Sequence, residues 1–294
     1  MAQEWTGESK GTSLGFKIFA FLIKHFGIKS AYIVLFFVAT YYFLFSPKAF
    51  GYQFNYFKNI LGFSFLKAVF SIYKNYFVFG QTLIDRYAIP MGLEDAFTFN
   101  FFQSEIIRET QNKGNGGILI SAHIGNFEVT GHFLNERLDN PMNLVTLETG
   151  SDQLEQFMEE QIKANRIKLI KIVPGSLSHM IEISAAVRRN ELVTFTGDRY
   201  ISGKTYTANF LGKPAKFPAG VFDIASKLKV PVLFVFAMKD SATHYEFSCH
   251  TASEVGLKPE EILAEYISTV ETKLKQYPEQ WFNYFPFWEE SKKP

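Results

Sequence analysis

Residues 112–129 read NKGNGGILISAHIGNFEV. The first six, rich in Gly and Asn, form a loop. ILIS (118–121) is a short unbroken apolar run, the pattern of a strand buried on both faces. Gly125 permits a sharp bend, and Asn126 can cap a helix running to about Arg137. Beyond it the alternation continues: strand NLVTL (143–147), helix SDQLEQFMEEQIKANR (151–166), strand KLIKIV (168–173), helix LSHMIEISAAVRR (177–189) and strand LVTFT (192–196). Then come a hairpin-like YTANFLGKPAKF (206–217), helix AGVFDIASKL (219–228), strands VPVLFVFAM (230–238) and THYEFSC (243–249), and helix PEEILAEYISTVETKLKQ (259–276). Strands alternating with helices predict an α/β fold, a mostly parallel sheet flanked by helices.

Upstream the pattern is different. Residues 30–47, SAYIVLFFVATYYFLFSP, carry no charge and lie between Lys29 and Lys48. As a helix they would extend about 27 Å, near the ~30 Å hydrocarbon thickness. A buried core helix is the plainer alternative. SLGFKIFAFLIKHFGIKS (13–30) breaks its apolar run with Lys17, Lys24 and His25, as a helix lying in a membrane interface does. Aromatic, helical segments are expected from about residue 50 to 113. The chain is thus expected to divide into a membrane-anchoring segment, 1–50, and a catalytic domain, 51–294.

Composition agrees with a lipid environment. Hydrophobic residues make up 47% of the 294 and aromatics 17%, with 33 Phe, more than a soluble core needs. The first ninety residues hold nine basic side chains against three acidic ones, within a chain whose net charge is only +1. Lysines interleaved with aromatics suit an anionic bilayer surface. No nucleic-acid motif accompanies them. The single Cys249 excludes an intramolecular disulfide and any multi-cysteine metal site. No A-x-A cleavage site follows the first apolar stretch, so no secretory signal peptide is expected.

The chemistry concentrates at the opening stretch. His123 ends a strand and Glu128 falls in the first turn of the next helix. The bend between them can bring the carboxylate to one imidazole nitrogen, leaving the other facing the carboxyl edge of the sheet, where α/β folds place ligands. A carboxylate there fixes the tautomer and stabilises imidazolium, which makes the ring a better general base. A capped helix with an unremarked surface histidine explains the same residues. So does a metal set of His123, Glu128 and His132, although the spacing is not H-E-x-x-H. No G-x-S-x-G elbow, phosphate-binding P-loop or G-x-G-x-x-G fingerprint is present. FTGDRY (195–200) sets Asp198 and Arg199 just past a strand, and an Arg fork suits phosphate or a developing oxyanion. FLGKPAKFPAG (210–220) sets Lys213 and Lys216 before a proline-started helix, a natural anion site; a simple basic hairpin is the alternative.

Taken in order, these pieces resemble the lysophospholipid acyltransferase superfamily, and more closely its lipid A biosynthesis (lauroyl/myristoyl) branch. His123 and Glu128 match the H-x4-D/E motif in its Glu form. FPAG (217–220) stands where glycerolipid members carry F-P-E-G, with Ala219 in place of Glu. KVPVLFVFAM (229–238), GDRY and YPEQWFNYFPFW (277–288) are similar to the later blocks. The resemblance implies His123 and Glu128 as the catalytic pair with Arg199, and Asn126, Asp198, Lys213, Lys216, Phe217 and Gly220 as substrate-binding residues. It implies transfer of a fatty acyl chain from acyl carrier protein or coenzyme A to a hydroxyl of a membrane lipid, with no metal or redox cofactor. The implied place is the cytoplasmic face of the bacterial inner membrane, and the leading acceptor a lipid A precursor. Other bacterial glycolipids, aminolipids or pigment lipids remain alternatives, as does a non-catalytic lipid-binding role. Ala219 argues against a glycerol-3-phosphate acceptor.

Overall fold

A computed structural model describes residues 13–103, 105–126, 129, 140–147, 167–173, 175–200 and 203–288. The helices expected over 126–137 and 151–166 fall largely or wholly outside these residues.

The strands are β1 (Thr98–Phe102), β2 (Gly117–Ser121), β3 (Met142–Leu147), β4 (Ile167–Ile172), β5 (Leu192–Thr196), β6 (Thr205–Phe210), β7 (Lys213–Pro218), β8 (Val232–Lys239) and β9 (His244–Thr251). Seven form one sheet in the order β1-β9-β8-β2-β5-β3-β4, and β6 and β7 form a separate antiparallel hairpin. The run from β8 to β4 is parallel throughout, and β9 turns back antiparallel to β8. The expected α/β architecture is therefore present. Every residue of β2 and of β8 is buried, which explains their unbroken apolar runs. Strand alternation sorts them onto two cores: Ile118, Ile120, Phe234 and Phe236 face one, Leu119, Leu233 and Val235 the other. The five-residue β1 was not separable in the sequence from the helical stretch around it. It is an edge strand, parallel to β9 and half exposed, so it carries no continuous apolar run.

Helices α1 (Ser13–Phe26), α2 (Ile28–Phe45), α3 (Pro47–Phe54) and α4 (Phe65–Ala88) precede the main sheet; α5 (Glu105–Asn112), α6 (Ser178–Arg188), α7 (Ala219–Leu228) and α8 (Pro259–Gln276) lie within or after it. Ser64 caps α4 by accepting from the Lys67 N–H. Most of the uncharged run 30–47 lies in α2, which starts two residues earlier, includes Lys29 and ends at Phe45, and which is long and apolar enough to cross a membrane by length and composition. One stripe of it, Ile28, Ala31, Tyr32, Leu35 and Ala39, is buried, while Ile33, Phe36, Phe37, Tyr41, Leu44 and Phe45 are exposed. The buried stripe lies along α4. Leu35 sits over Gly80, where even a Cβ would overlap its side chain, and Phe36 packs edge-on to Tyr73. Phe65, Leu66 and Phe70 of α4 and Ile18, Phe21 and Phe26 of α1 extend the exposed apolar surface.

At the amino edge of the sheet, buried Glu191 accepts from Arg189, Lys168 and Asn143. Burial acts to raise its pKa, but these donors and the Lys168 charge outweigh it and bring it from 4.5 to about 2. The folded value lies below the unfolded one, so the stabilisation is present above pH 4.5 and is lost as pH falls toward about 2. Lys168 and Arg189 are half exposed, so screening reduces the contribution to about 2 kcal/mol. Glu191→Gln should therefore unfold more easily than wild type at pH 7, with the gap closing between pH 4.5 and about 2. Denaturation midpoints measured across that range test it, and a gap that does not depend on pH would refute the assignment.

Candidate active site

Parallel pairing decides which loops meet. Ser121 of β2 is opposite Thr196 of β5, so residues two positions beyond each strand, His123 and Asp198, emerge side by side at the carboxyl edge. The imidazole Nδ1 lies 2.8 Å from Asp198 Oδ1, and the His123 backbone N–H donates to Oδ2 at 3.0 Å. Both carboxylate oxygens thus take a proton donor from the same residue. With Nδ1–H directed at the carboxylate, Nε2 is the basic nitrogen of the neutral ring. Asp198 is buried while the His123 side chain keeps 23% of its surface. Burial pushes the Asp198 carboxyl up, yet the His123 ring, its two hydrogen bonds and the Arg199 charge hold it below the ordinary carboxylate range.

The turn after His123 has its own requirements. Gly125 has φ +60°, and a Cβ there would lie 2.1 Å from the Ala237 carbonyl oxygen, so only glycine fits. Its N–H donates to Gln280 O, and Asn126 N–H donates to Ala237 O. Asn126 is buried; its Oδ1 accepts from Val129 N–H, as expected of a cap, and its Nδ2 donates to Thr82 O and Tyr245 Oη.

The closing segment 277–288 completes the site. Phe282 N–H donates to His123 O, and Arg199 donates to Phe282 O at 2.6 Å while its guanidinium lies over Phe285. One residue of this segment therefore joins His123 to Arg199. Burial lowers the Arg199 pKa, opposed by the Asp198 charge. Trp281 pairs with Ile124 and packs on Tyr56, Phe210 and Trp288.

The structure thus brings His123, Asp198, Arg199 and Asn126 together. Glu128, the expected ring partner, and His132 of the metal alternative lie outside the described residues. Among the described residues the carboxylate on the imidazole is Asp198, which the sequence reading placed with substrate binding. The signal for it was available: strands 118–121 and 192–196 each end two residues before a charged or ionisable group, which matters once they are known to be neighbours. The hairpin residues differ among themselves. Phe217 is core, packed on Phe210, Tyr266 and Phe287, and Tyr266 Oη in turn donates to Ser121 O beneath His123. Strand alternation puts Lys216 on the face opposite Lys213. Gly220 is exposed with open space around it, and Ala219 is fully buried.

The model of the bacterial lipid A biosynthesis acyltransferase family matches residues 72–289, about three quarters of the chain and all of the site just described. No curated protein matches the chain closely.

Proposed function

The chain belongs to the bacterial lipid A biosynthesis acyltransferase family and is an acyltransferase, and on that premise we propose that it moves a fatty acyl chain from a thioester, on acyl carrier protein or coenzyme A, to a hydroxyl of a lipid A precursor, with His123 as general base. The observation that carries this reading is the His123–Asp198 pair in matched register at the carboxyl edge of β2 and β5. His123 Nε2 takes the proton of the acceptor hydroxyl as its oxygen attacks the thioester carbonyl. The tetrahedral intermediate collapses, the C–S bond breaks, and the thiolate leaves with the proton from the imidazolium. Asp198 stabilises that imidazolium and holds the tautomer. Glu128 is assigned to the same catalytic group as the second half of the H-x4-E motif. Arg199, bound to Phe282 O, holds the closing segment against His123 and adds positive charge beside the site.

Lys213 and Lys216 lie on opposite faces of β7, so one of them, with the exposed Gly220, would receive the acceptor's phosphate. Fully buried Ala219 supplies no carboxylate there, which supports an acceptor other than glycerol-3-phosphate. Residues 1–50 act as the membrane anchor and 51–294 as the catalytic domain. The exposed aromatic faces of α1, α2 and the start of α4 rest against lipid. Because acyl carrier protein and coenzyme A are cytoplasmic, the site faces the cytoplasm at the inner membrane.

Full-length protein in detergent, supplied with acyl thioester and lipid A precursor, is expected to yield a lipid heavier by one acyl chain and one free thiol per chain transferred. Thiol release that does not depend on acceptor, with no gain in lipid mass, would overturn the reading.

A further inference from the structure

The buried stripe of α2 is apolar except for one hydroxyl. A phenylalanine at position 32 would bury the same ring surface, so anchoring alone does not call for the oxygen. Tyr32 Oη donates to the carboxylate of Asp85 on α4 and lies 3.0 Å from the Ala242 carbonyl of the β8–β9 turn. Asp85 is completely buried and is met by Lys239, from the end of β8, and by Tyr245 of β9. Three elements, α2, β8 and β9, thus converge on one carboxylate of α4.

The cluster reaches the catalytic turn along two routes. Tyr245 gives its only hydroxyl proton to Asp85 and therefore accepts from Asn126 Nδ2, at 3.2 Å. Lys239 pairs its backbone N–H and C=O with the Gln280 side chain at 2.8 and 2.6 Å, and the Gln280 carbonyl takes the Gly125 N–H at 3.0 Å. Gly125 and Asn126, the residues that turn the chain after His123, both hang on groups ordered by Asp85. Removing the Tyr32 hydroxyl strips a donor from a carboxylate that no water reaches, so Tyr245 and Lys239 must shift to satisfy it.

We infer that Tyr32 is a positioning residue for the His123 turn, so that the N-terminal hydrophobic helix is part of the catalytic scaffold as well as an anchor. This rests on His123 being the base.

The test uses full-length protein in detergent, where membrane anchoring does not limit the rate, with thioester donor and dispersed lipid A precursor. Tyr32→Phe and Tyr245→Phe are each compared with wild type, His123→Ala and a control, Tyr41→Phe, an exposed tyrosine on the same helix. Turnover is measured well below each variant's unfolding midpoint. Both cluster variants should lose kcat by about 10- to 100-fold, the effect of a sub-ångström to ångström displacement of a catalytic group, with KM for donor and acceptor unchanged and membrane fractionation as wild type. Tyr41→Phe should match wild type throughout. Wild-type kcat in Tyr32→Phe, while His123→Ala is inactive, overturns the inference and leaves the functional reading standing. Loss in Tyr245→Phe alone also overturns it, because α2 would then contribute nothing. If Tyr32→Phe does not fold, Tyr32→His, which retains a ring donor, restoring fold and most of kcat supports it; a folded but inactive Tyr32→His overturns it. Full activity in His123→Ala would instead remove the premise.

Discussion

Replacing His123 by alanine should lower acyl transfer by about 10³- to 10⁴-fold while the protein stays folded. The side chain is partly exposed and projects beyond the strand end rather than into either core, so truncation opens no large cavity. A second variant separates base chemistry from mere bulk. Asp198 accepts two N–H groups of His123, one from the ring and one from the backbone. An asparagine has one acceptor oxygen, so Asp198→Asn must set its NH₂ against one of those donors or force the ring into the other tautomer. Its turnover should fall by about 10³-fold or more. The double variant should be little worse than His123→Ala, since the two residues act as a unit. The measurement is product formation by mass spectrometry on protein whose near-ultraviolet circular dichroism matches wild type. Wild-type kcat in His123→Ala would remove the proposed mechanism.

The largest effect on stability is expected at the ion pair of Asp85 and Lys239. Their side chains are 0% and 2% exposed. Burial raises the Asp85 pKa and lowers that of Lys239, each opposed by the other's charge. Lys239→Ala leaves the carboxylate without its counter-charge and should cost about 3–5 kcal/mol, a large share of the ~5–15 kcal/mol typical of a domain. Replacing both partners, Asp85→Leu with Lys239→Met, should recover part of that loss, because two apolar groups need no counter-charge although the buried Tyr245 hydroxyl loses its acceptor. Denaturant midpoints in detergent decide the matter; a Lys239→Ala protein within about 1 kcal/mol of wild type would mean the pair is not dry. If the cluster orders the catalytic turn, the double variant regains part of the stability but not turnover, since Tyr245 then lacks the acceptor that fixes its direction toward Asn126.

Much of the fold was legible because it depends on short-range pattern. Unbroken runs such as ILIS mark strands covered on both faces, and Gly125 marks a bend that no side chain tolerates. The hairpin was recognisable from the Gly212 turn between two short runs. β1 was missed because a half-exposed edge strand needs no apolar run.

The site was legible one residue at a time. His123, Asp198 and Arg199 were each visible as polar groups at strand ends, since a charge beside an apolar run stands out. Their grouping was not visible. It depends on β2 lying next to β5 rather than β3, and strand order is set by how the crossover segments pack, which no local pattern records. The same holds at the N-terminus. α2 is apolar on all sides, so its composition showed a helix suited to lipid but could not say which stripe turns inward. Asp85 stood as the sole acid between Glu8 and Glu94, an anomaly without a partner until tertiary packing brought Lys239 from 154 positions away. Sequence by itself determined the elements, because backbone preference and hydrophobic period act between near neighbours. Only the tertiary structure decided which charge meets which, because desolvation and hydrogen bonding act between groups that the chain keeps far apart until it folds.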